Sequence, residues 1–113
     1  TTADKNTATA IAAATKELLE AMIATNKLKV QHIAGAFFTV TKDLNASFPA
    51  TTARKIGWAN IPLLCAQEIP VPKSLKKCIR IMLIVNTWTA QKKIRHQYLK
   101  GAISLRPDLV EKN

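Results

Sequence analysis

The chain has 113 residues, 48% of them hydrophobic, which predicts one domain over residues 1–113 with a modest core and excludes a disordered or low-complexity chain. Its net charge of +10 favours binding of an anion, whether nucleic acid, acidic lipid or a small polyanionic metabolite. No apolar run is long enough to span a bilayer, so no membrane association is predicted, and aromatic residues, at 5%, are too sparse to favour stacking on single-stranded RNA.

The first predicted element is a helix over residues 7–25. Asn6 or Thr7 can cap its start, and Asn26 is a plausible left-handed stop. Thr15 lies within the apolar stripe, where its hydroxyl can bond back to the carbonyl of Ile11. The apolar residues that recur at helical spacing are Ile11, Ala14, Leu18, Leu19, Met22 and Ile23.

The middle of the chain predicts two strands around a short helical region. Residues 32–40 form an apolar run typical of a buried strand. Residues 43–56 indicate a helical region that Pro49 interrupts and Gly57 ends. Residues 61–69 favour a second strand, with a proline near its start.

The last third predicts a long central strand over residues 77–86, a second main helix over 89–99 and a short final strand over 102–105. Thr87 or Thr89 can cap the helix, and Ile94, Tyr98 and Leu99 would supply its inner edge. Helices and strands therefore alternate, and the predicted fold class is α+β, with a mixed β-sheet and two main helices.

Arg80 lies inside the apolar run 78–85, which is normally covered on both faces when it forms a strand. A guanidinium cannot be deprotonated there, and an unpaired buried charge is very costly. Arg80 therefore either has a carboxylate partner or lines a cavity that receives an anion. On a regular strand it shares a face with Cys78, Met82 and Ile84.

Glu68 is the only carboxylate between Asp43 and Asp108. It could pair with Arg80, or it could accept a hydrogen bond from a ligand hydroxyl. Cys65 precedes it by three residues, so a regular strand places the two side chains on opposite faces unless the strand bulges or ends between them.

Other candidate residues carry weaker signals. The spacing favours an ion pair between Arg106 and Asp108, and Tyr98 is either core or a hydroxyl that needs a partner. Cys65 and Cys78 lack a metal-binding pattern, which favours free thiols in an intracellular, cytoplasmic protein. No phosphate loop or Ser/His/Asp signature occurs, so neither covalent catalysis nor a bound cofactor is predicted.

Taken together, these motifs resemble the small monofunctional chorismate mutases of the AroH class. The likeness runs from Thr1 to Leu109 without an evident insertion, and the motifs agree in order and spacing. They are Phe48-Pro49-Ala50, Arg54, Gly57-Trp58, Pro62, Cys65-Ala66-Gln67-Glu68, Leu75, Cys78-Ile79-Arg80, Asn86-Thr87, Ile94-Arg95-His96, Tyr98-Leu99 and Leu105-Arg106-Pro107-Asp108-Leu109.

The resemblance implies a homotrimer that forms a pseudo-α/β-barrel, with active sites between subunits. It implies the rearrangement of chorismate, a small dicarboxylate, to prephenate in aromatic amino-acid biosynthesis, with no cofactor. Arg80 would face the ether oxygen, and Glu68 and Cys65 would bind the ring hydroxyl. The other residues that would line or close the pocket are Phe48, Arg54, Leu64, Tyr98, Leu105 and Arg106.

The chain departs from the family pattern before Thr1, where relatives carry a strand with an Arg-Gly-x-Arg-Gly-Ala pattern whose second arginine binds substrate. This departure keeps one alternative open, a mutase-like scaffold that binds or assembles without catalysis. Composition alone keeps a second one open, a small basic RNA-binding domain. A polyanion binder would expose its cations on one face, whereas a mutase would keep Arg80 within a pocket.

Overall fold

The computed structural model describes residues 1–109 and begins with one long helix, α1, at Ala8–Asn26. Thr7 is its N-cap, because the Thr7 hydroxyl accepts a hydrogen bond from the Ala10 N–H at 3.1 Å. The predicted stop is one residue early: Lys27, at φ 51°, takes the left-handed conformation, and Asn26 remains helical. The Thr15 hydroxyl donates to the Ile11 carbonyl at 2.7 Å, as predicted.

The three strands form one sheet in the order β2-β1-β3. β1 is Ile33–Val40, β2 is Leu63–Gln67 and β3 is Ile79–Val85. β1 is parallel to β2 and antiparallel to β3, which confirms a mixed sheet in an α+β fold. Because β1 is the central strand, its side chains have neighbours on both sides.

The two faces of the sheet differ sharply. Ala36 and Phe38 of β1 point to the helices and are buried in the core with Leu19 of α1. The intervening Phe37 points away from the helices and is partly exposed. The structure therefore covers one face of the sheet and leaves the other open, although the apolar run 78–85 predicted cover on both.

A short helix, α2, connects β1 to β2. It spans Pro49–Ala53, so Pro49 begins the helix instead of interrupting one, because the first turn needs no N–H from that residue. Residues 43–48 are turn and irregular structure, contrary to the prediction. The helical path continues irregularly through Arg54–Trp58, where Gly57 adopts φ 106° and ends it as predicted.

Residues 1–3 run along the outer edge of β3. The Ile79 N–H donates to the Thr1 carbonyl at 2.8 Å, and Thr2 forms an isolated antiparallel bridge with Cys78. A segment placed before Thr1 in the same direction would continue this pairing along β3, past Arg80.

The predicted helix at 89–99 is wrong. The structure has a single 3-10 turn at Gln91–Lys93, and the chain is extended at Ile94. Both backbone groups of Arg95 bond to the side chain of Asn26: the Arg95 N–H donates to Asn26 Oδ1 at 2.8 Å, and Asn26 Nδ2 donates to the Arg95 carbonyl at 2.9 Å. In a helix these two groups would bond within the helix, so the Asn26 amide favours the extended form.

The predicted final strand at 102–105 is also wrong, because Lys100–Leu105 forms a 3-10 helix. Ala102 of this helix is buried, and the Gly101 N–H donates to the Thr2 hydroxyl at 3.2 Å. A Cβ at position 101 would lie 3.0 Å from the Thr2 methyl group. The C-terminal segment is thus packed on residues 1–3, which already occupy the edge of β3 beside it.

Replacing the Asn26 amide should release the segment that it holds. We expect Asn26→Ala to lower the free energy of unfolding by about 1–3 kcal/mol, since two hydrogen bonds to the Arg95 backbone are lost. Amide hydrogen exchange should rise around residues 94–98 far more than in β1. Asn45→Ala, which removes an exposed contact with Asn6, is the control and should leave exchange at 94–98 unchanged. Unchanged exchange there in Asn26→Ala would contradict this role.

Candidate active site

The centre of the candidate site is an ion pair between Arg80 and Glu68. Arg80 Nε lies 2.5 Å from Glu68 Oε2, and Arg80 Nη2 lies 2.7 Å from Glu68 Oε1. The pair is therefore bidentate, which fixes the plane of the guanidinium. Glu68 uses two of the five guanidinium N–H groups and leaves three for a ligand.

The sheet brings these two residues together from strands that are not neighbours. Glu68 directly follows β2, and its N–H donates to the Val40 carbonyl at 2.9 Å, which extends the pairing with β1 by one residue. Arg80 lies on β3, opposite Thr39 of β1. The Thr39 hydroxyl also donates to Glu68 Oε2, so the pair spans the central strand and is attached to it.

The pair shifts the pKa values of both partners. The hydrogen bonds from Arg80, and secondarily that from Thr39, hold the pKa of Glu68 below its ordinary value, against the opposing effect of burial. Glu68 in turn raises the pKa of Arg80. Because the Glu68 pKa is lower in the folded state, the pair stabilises the fold above the ordinary carboxyl pKa of about 4.5 and stops doing so as the pH falls through the lowered value.

A groove of about 680 Å³ runs along the outer edge of β3. Arg80, Glu68 and Tyr98 line it together, with Thr39 between the two charged residues. Arg80 keeps 54% of its side chain exposed, whereas Glu68 keeps 18%. Arg80 thus has a carboxylate partner, and it also lines a groove.

Leu64 and Cys65 lie on opposite faces of β2. Leu64 pairs with Phe37 on the open face and is 58% exposed. Cys65 pairs with Phe38 and packs against the core, so its side chain is not beside Glu68 within one chain. The regular alternation of β2 explains the separation, since the strand neither bulges nor ends between residues 65 and 67.

Phe48 and Arg54 do not line the groove. Phe48, which precedes α2, is 69% exposed, and Arg54, just after α2, is also exposed, with Nη2 3.5 Å from the Thr51 hydroxyl. Both residues are distant from Glu68 in the sequence, and neither side chain lines the groove.

Arg106 forms the predicted ion pair with Asp108, with Nη2 2.8 Å from Oδ2 and Nε 3.1 Å from Oδ1. Both side chains are more than half exposed. Asp108 raises the pKa of Arg106, and Tyr98 adds a smaller effect in the same direction. Leu105, the last residue of the 3-10 helix, is partly exposed.

Two residues of this site were not predicted from the sequence. Thr39 bonds to Glu68, and Asn26 fixes the segment that precedes Tyr98. A polar residue two positions after Phe37 in an apolar strand was a usable signal for Thr39, because both side chains must point to the same face. No comparable signal existed for Asn26, whose partner is 69 residues away.

Within residues 1–109, no helix is long and apolar enough to cross a membrane.

Comparison with known proteins gives consistent matches. The family model for chorismate mutase type I matches residues 1–109. The chorismate mutase AroH of Thermus thermophilus is 47% identical over 109 residues, which cover 96% of this chain and 89% of that protein. The AroH protein of Bacillus subtilis (strain 168) is 43% identical over 110 residues, which cover 96% of this chain and 87% of that protein.

A solved structure agrees with the same match. The chorismate mutase from Clostridium thermocellum (Cth-682) superposes with a TM-score of 0.90 at 50% sequence identity, covering 92% of this chain and 93% of the other. The family model spans all the described residues, and both relatives exceed 40% identity over nearly the whole chain. The chain therefore belongs to the type I chorismate mutase family.

Proposed function

We propose that this chain, an isomerase of the chorismate mutase family that converts chorismate to prephenate in aromatic amino-acid biosynthesis, carries out the reaction at Arg80 and Glu68. The observation that carries the proposal is the guanidinium of Arg80, which Glu68 holds rigidly at the groove with three N–H groups available. Such a group is suited to an acceptor that gains negative charge during a reaction.

The chemistry needs little more than this. In the rearrangement the ether C–O bond breaks while a C–C bond forms within the same molecule, so no nucleophile, proton carrier or external electron donor takes part. Negative charge develops on the ether oxygen as its bond breaks, and Arg80 is the cation proposed to meet it. Since Glu68 fixes the guanidinium beforehand, little reorganisation is needed in the transition state.

Glu68 has a second proposed role, in accepting a hydrogen bond from the ring hydroxyl of the substrate. Oε1 of Glu68 has a further lone pair beyond the one that Arg80 uses, whereas Oε2 already accepts from both Arg80 and Thr39. Tyr98, which also lines the groove, would bind the substrate through its hydroxyl. The net charge of +10 would attract a dicarboxylate from solution.

The remaining pocket residues are proposed to act across subunit boundaries. Phe48 and Arg54 are exposed and outside the groove of their own chain, so they would reach the groove of a neighbour. The backbone at Leu64 and Cys65 would form part of the same wall. Leu105 and Arg106 would close the end of the pocket, which requires Arg106 to exchange its exposed contact with Asp108 for the substrate.

A homotrimer is proposed because the open face of the sheet is apolar. The exposed residues of this face are cross-strand neighbours or lie one pair further along the sheet, so they form one continuous patch. In a single chain this patch is exposed to water. A cyclic assembly would cover this patch and place each groove beside a second subunit. The patch consists of Phe37 (39% exposed), Leu64 (58%), Met82 (58%) and Ile84 (48%).

The cytoplasm is the proposed location of the enzyme. Cys65 and Cys78 are both free thiols, and Cys78 is buried. Unpaired cysteines of this kind are typical of proteins in a reducing compartment.

Arg80→Ala should abolish most of the mutase activity while leaving the protein folded. We expect a loss of at least about a hundredfold in kcat, since one donor at a developing oxyanion contributes about 3 kcal/mol. Arg80→Lys should recover little of it, because an ammonium cannot form the two parallel bonds to Glu68. Steady-state conversion of chorismate, with circular dichroism to verify folding, measures both effects.

The control for that experiment is Lys16→Ala, which removes an exposed cation on α1. It should retain activity within about twofold, as expected for a surface substitution. If Arg80→Ala retained activity within the same range, the proposed site would be wrong.

Native mass spectrometry and light scattering test the assembly. We expect a trimer for the unaltered chain at micromolar concentration, and monomers with low activity for Leu64→Glu, because a charge on the apolar patch would be buried without a partner. Val71→Glu is the matched control: Val71 is equally exposed, at 57%, but lies between β2 and β3 outside the sheet, and this variant should stay trimeric. A stable monomer with full activity would contradict the proposal.

A further inference from the structure

Thr39 occupies the central position of the site without an assigned role. It lies on β1, where Ala66 of β2 is its partner on one side and Arg80 of β3 is its partner on the other. Its side chain is half-buried and lines the groove. The hydroxyl donates a hydrogen bond to Glu68 Oε2, the same oxygen that accepts from Arg80 Nε.

We propose that Thr39 is a positioning residue for the rearrangement, holding the Glu68 carboxylate so that Glu68 can hold Arg80 and meet the substrate. The inference rests on the proposed function of Arg80 and Glu68. Thr39 need not touch the substrate, since it acts through the carboxylate.

The geometry explains why the Glu68 carboxylate needs a hydrogen bond from Thr39 in addition to those from Arg80. Glu68 follows the end of β2, so its backbone is fixed by a single bond to Val40 and its long side chain could rotate. Arg80 alone would hold the carboxylate only while the guanidinium faces it. When a substrate draws on the N–H groups of Arg80, the hydroxyl of Thr39 still holds Oε2, because Thr39 is attached to the rigid central strand.

The same hydrogen bond adds to the effect of Arg80 in holding the pKa of Glu68 low. A carboxylate that accepts a hydroxyl hydrogen bond is stabilised in its charged form, and losing that bond raises its pKa. The other titratable or charged groups around Glu68 are the cationic Arg80, the thiol of Cys78, whose pKa burial raises, and the amino group of Thr1, whose pKa burial lowers. Tyr98 lines the same groove. The acidic limb of the pH–activity profile should therefore follow the pKa of Glu68 and move when the Thr39 hydroxyl is removed.

The test compares Thr39→Val, which keeps the shape and removes the hydroxyl, with Thr39→Ser, which keeps the hydroxyl. Steady-state kinetics with chorismate are measured from about pH 4 to pH 8 on the assembled protein. We expect Thr39→Val to lower kcat/KM about tenfold, mainly through kcat, and to move the acidic limb of kcat/KM to higher pH. Thr39→Ser should stay within about twofold, with its limb unmoved.

Thr15→Val is the matched control, since it removes a buried hydroxyl from α1 that bonds only within the helix. It should change the melting temperature without moving the acidic limb. A Thr39→Val enzyme with unchanged kinetics would overturn the proposal. So would a loss of activity with an unmoved limb, or an equal loss in Thr39→Ser, because either would assign Thr39 to packing alone.

A second measurement separates this proposal from the proposed function. Carboxyl ¹³C NMR follows the titration of Glu68 without needing turnover, and Thr39→Val should raise the Glu68 pKa while Thr39→Ser should not. An inactive unaltered protein would refute the assigned reaction, and the NMR titration would still decide whether Thr39 holds Glu68. An unshifted Glu68 titration in Thr39→Val would overturn the positioning role whether or not the protein is active.

Discussion

The arrangement of this protein depends on one constraint: a guanidinium that stays charged must be kept on a largely apolar strand. Arg80 meets it by pairing with Glu68 through two parallel hydrogen bonds, and Glu68 is in turn bonded to Thr39. The strand order β2-β1-β3 makes this possible, because the central strand supplies the residue between the two charges. A sheet in which β2 and β3 were neighbours would lack that third contact.

The same alternation of side chains that builds the site divides the sheet into two surfaces. Residues such as Phe38 and Ile79 are buried against the helices, and their immediate neighbours Phe37 and Arg80 face the groove and the open side. A shift of one residue in the pairing of β1 with β3 would move Arg80 into the core and expose apolar side chains. Core packing therefore fixes the register, and the register places the charged pair.

The parts of the fold and of the site that depend on contacts between residues close in the sequence could be predicted from the sequence. The stripe on α1 predicted its buried face, including the bond from Thr15 to Ile11. The spacing of Arg106 and Asp108 predicted their ion pair. β1 begins one residue later than predicted and ends at Val40 as predicted, whereas β3 begins two residues later and ends one residue earlier than predicted. For Arg80 and Glu68, the sequence left an ion pair and a ligand-binding role open as alternatives, and the structure shows the ion pair.

The secondary-structure predictions failed where a contact with a residue distant in the sequence outweighed the local preference for a helix or a strand. The segment at 89–99 carries residues at helical spacing, yet Asn26 bonds to both backbone groups of Arg95 and holds that part of the chain extended. Likewise, the packing of Gly101 against Thr2 accompanies a 3-10 helix where a strand was predicted. Neither partner can be inferred from periodicity, since each lies dozens of residues away in the sequence.

These long-range contacts affect the candidate site, because the segment that Asn26 holds leads to Tyr98, which lines the same groove as Arg80. An extended segment covers more of the groove per residue than a helix would, since a strand rises about 3.3 Å per residue and a helix 1.5 Å. A helix over the same residues would be shorter. It would draw Tyr98 towards the helix axis and reduce the length of groove that this segment covers. The bonds from Asn26 that outweigh the local helical preference therefore also place Tyr98 in the lining of the groove that contains Arg80.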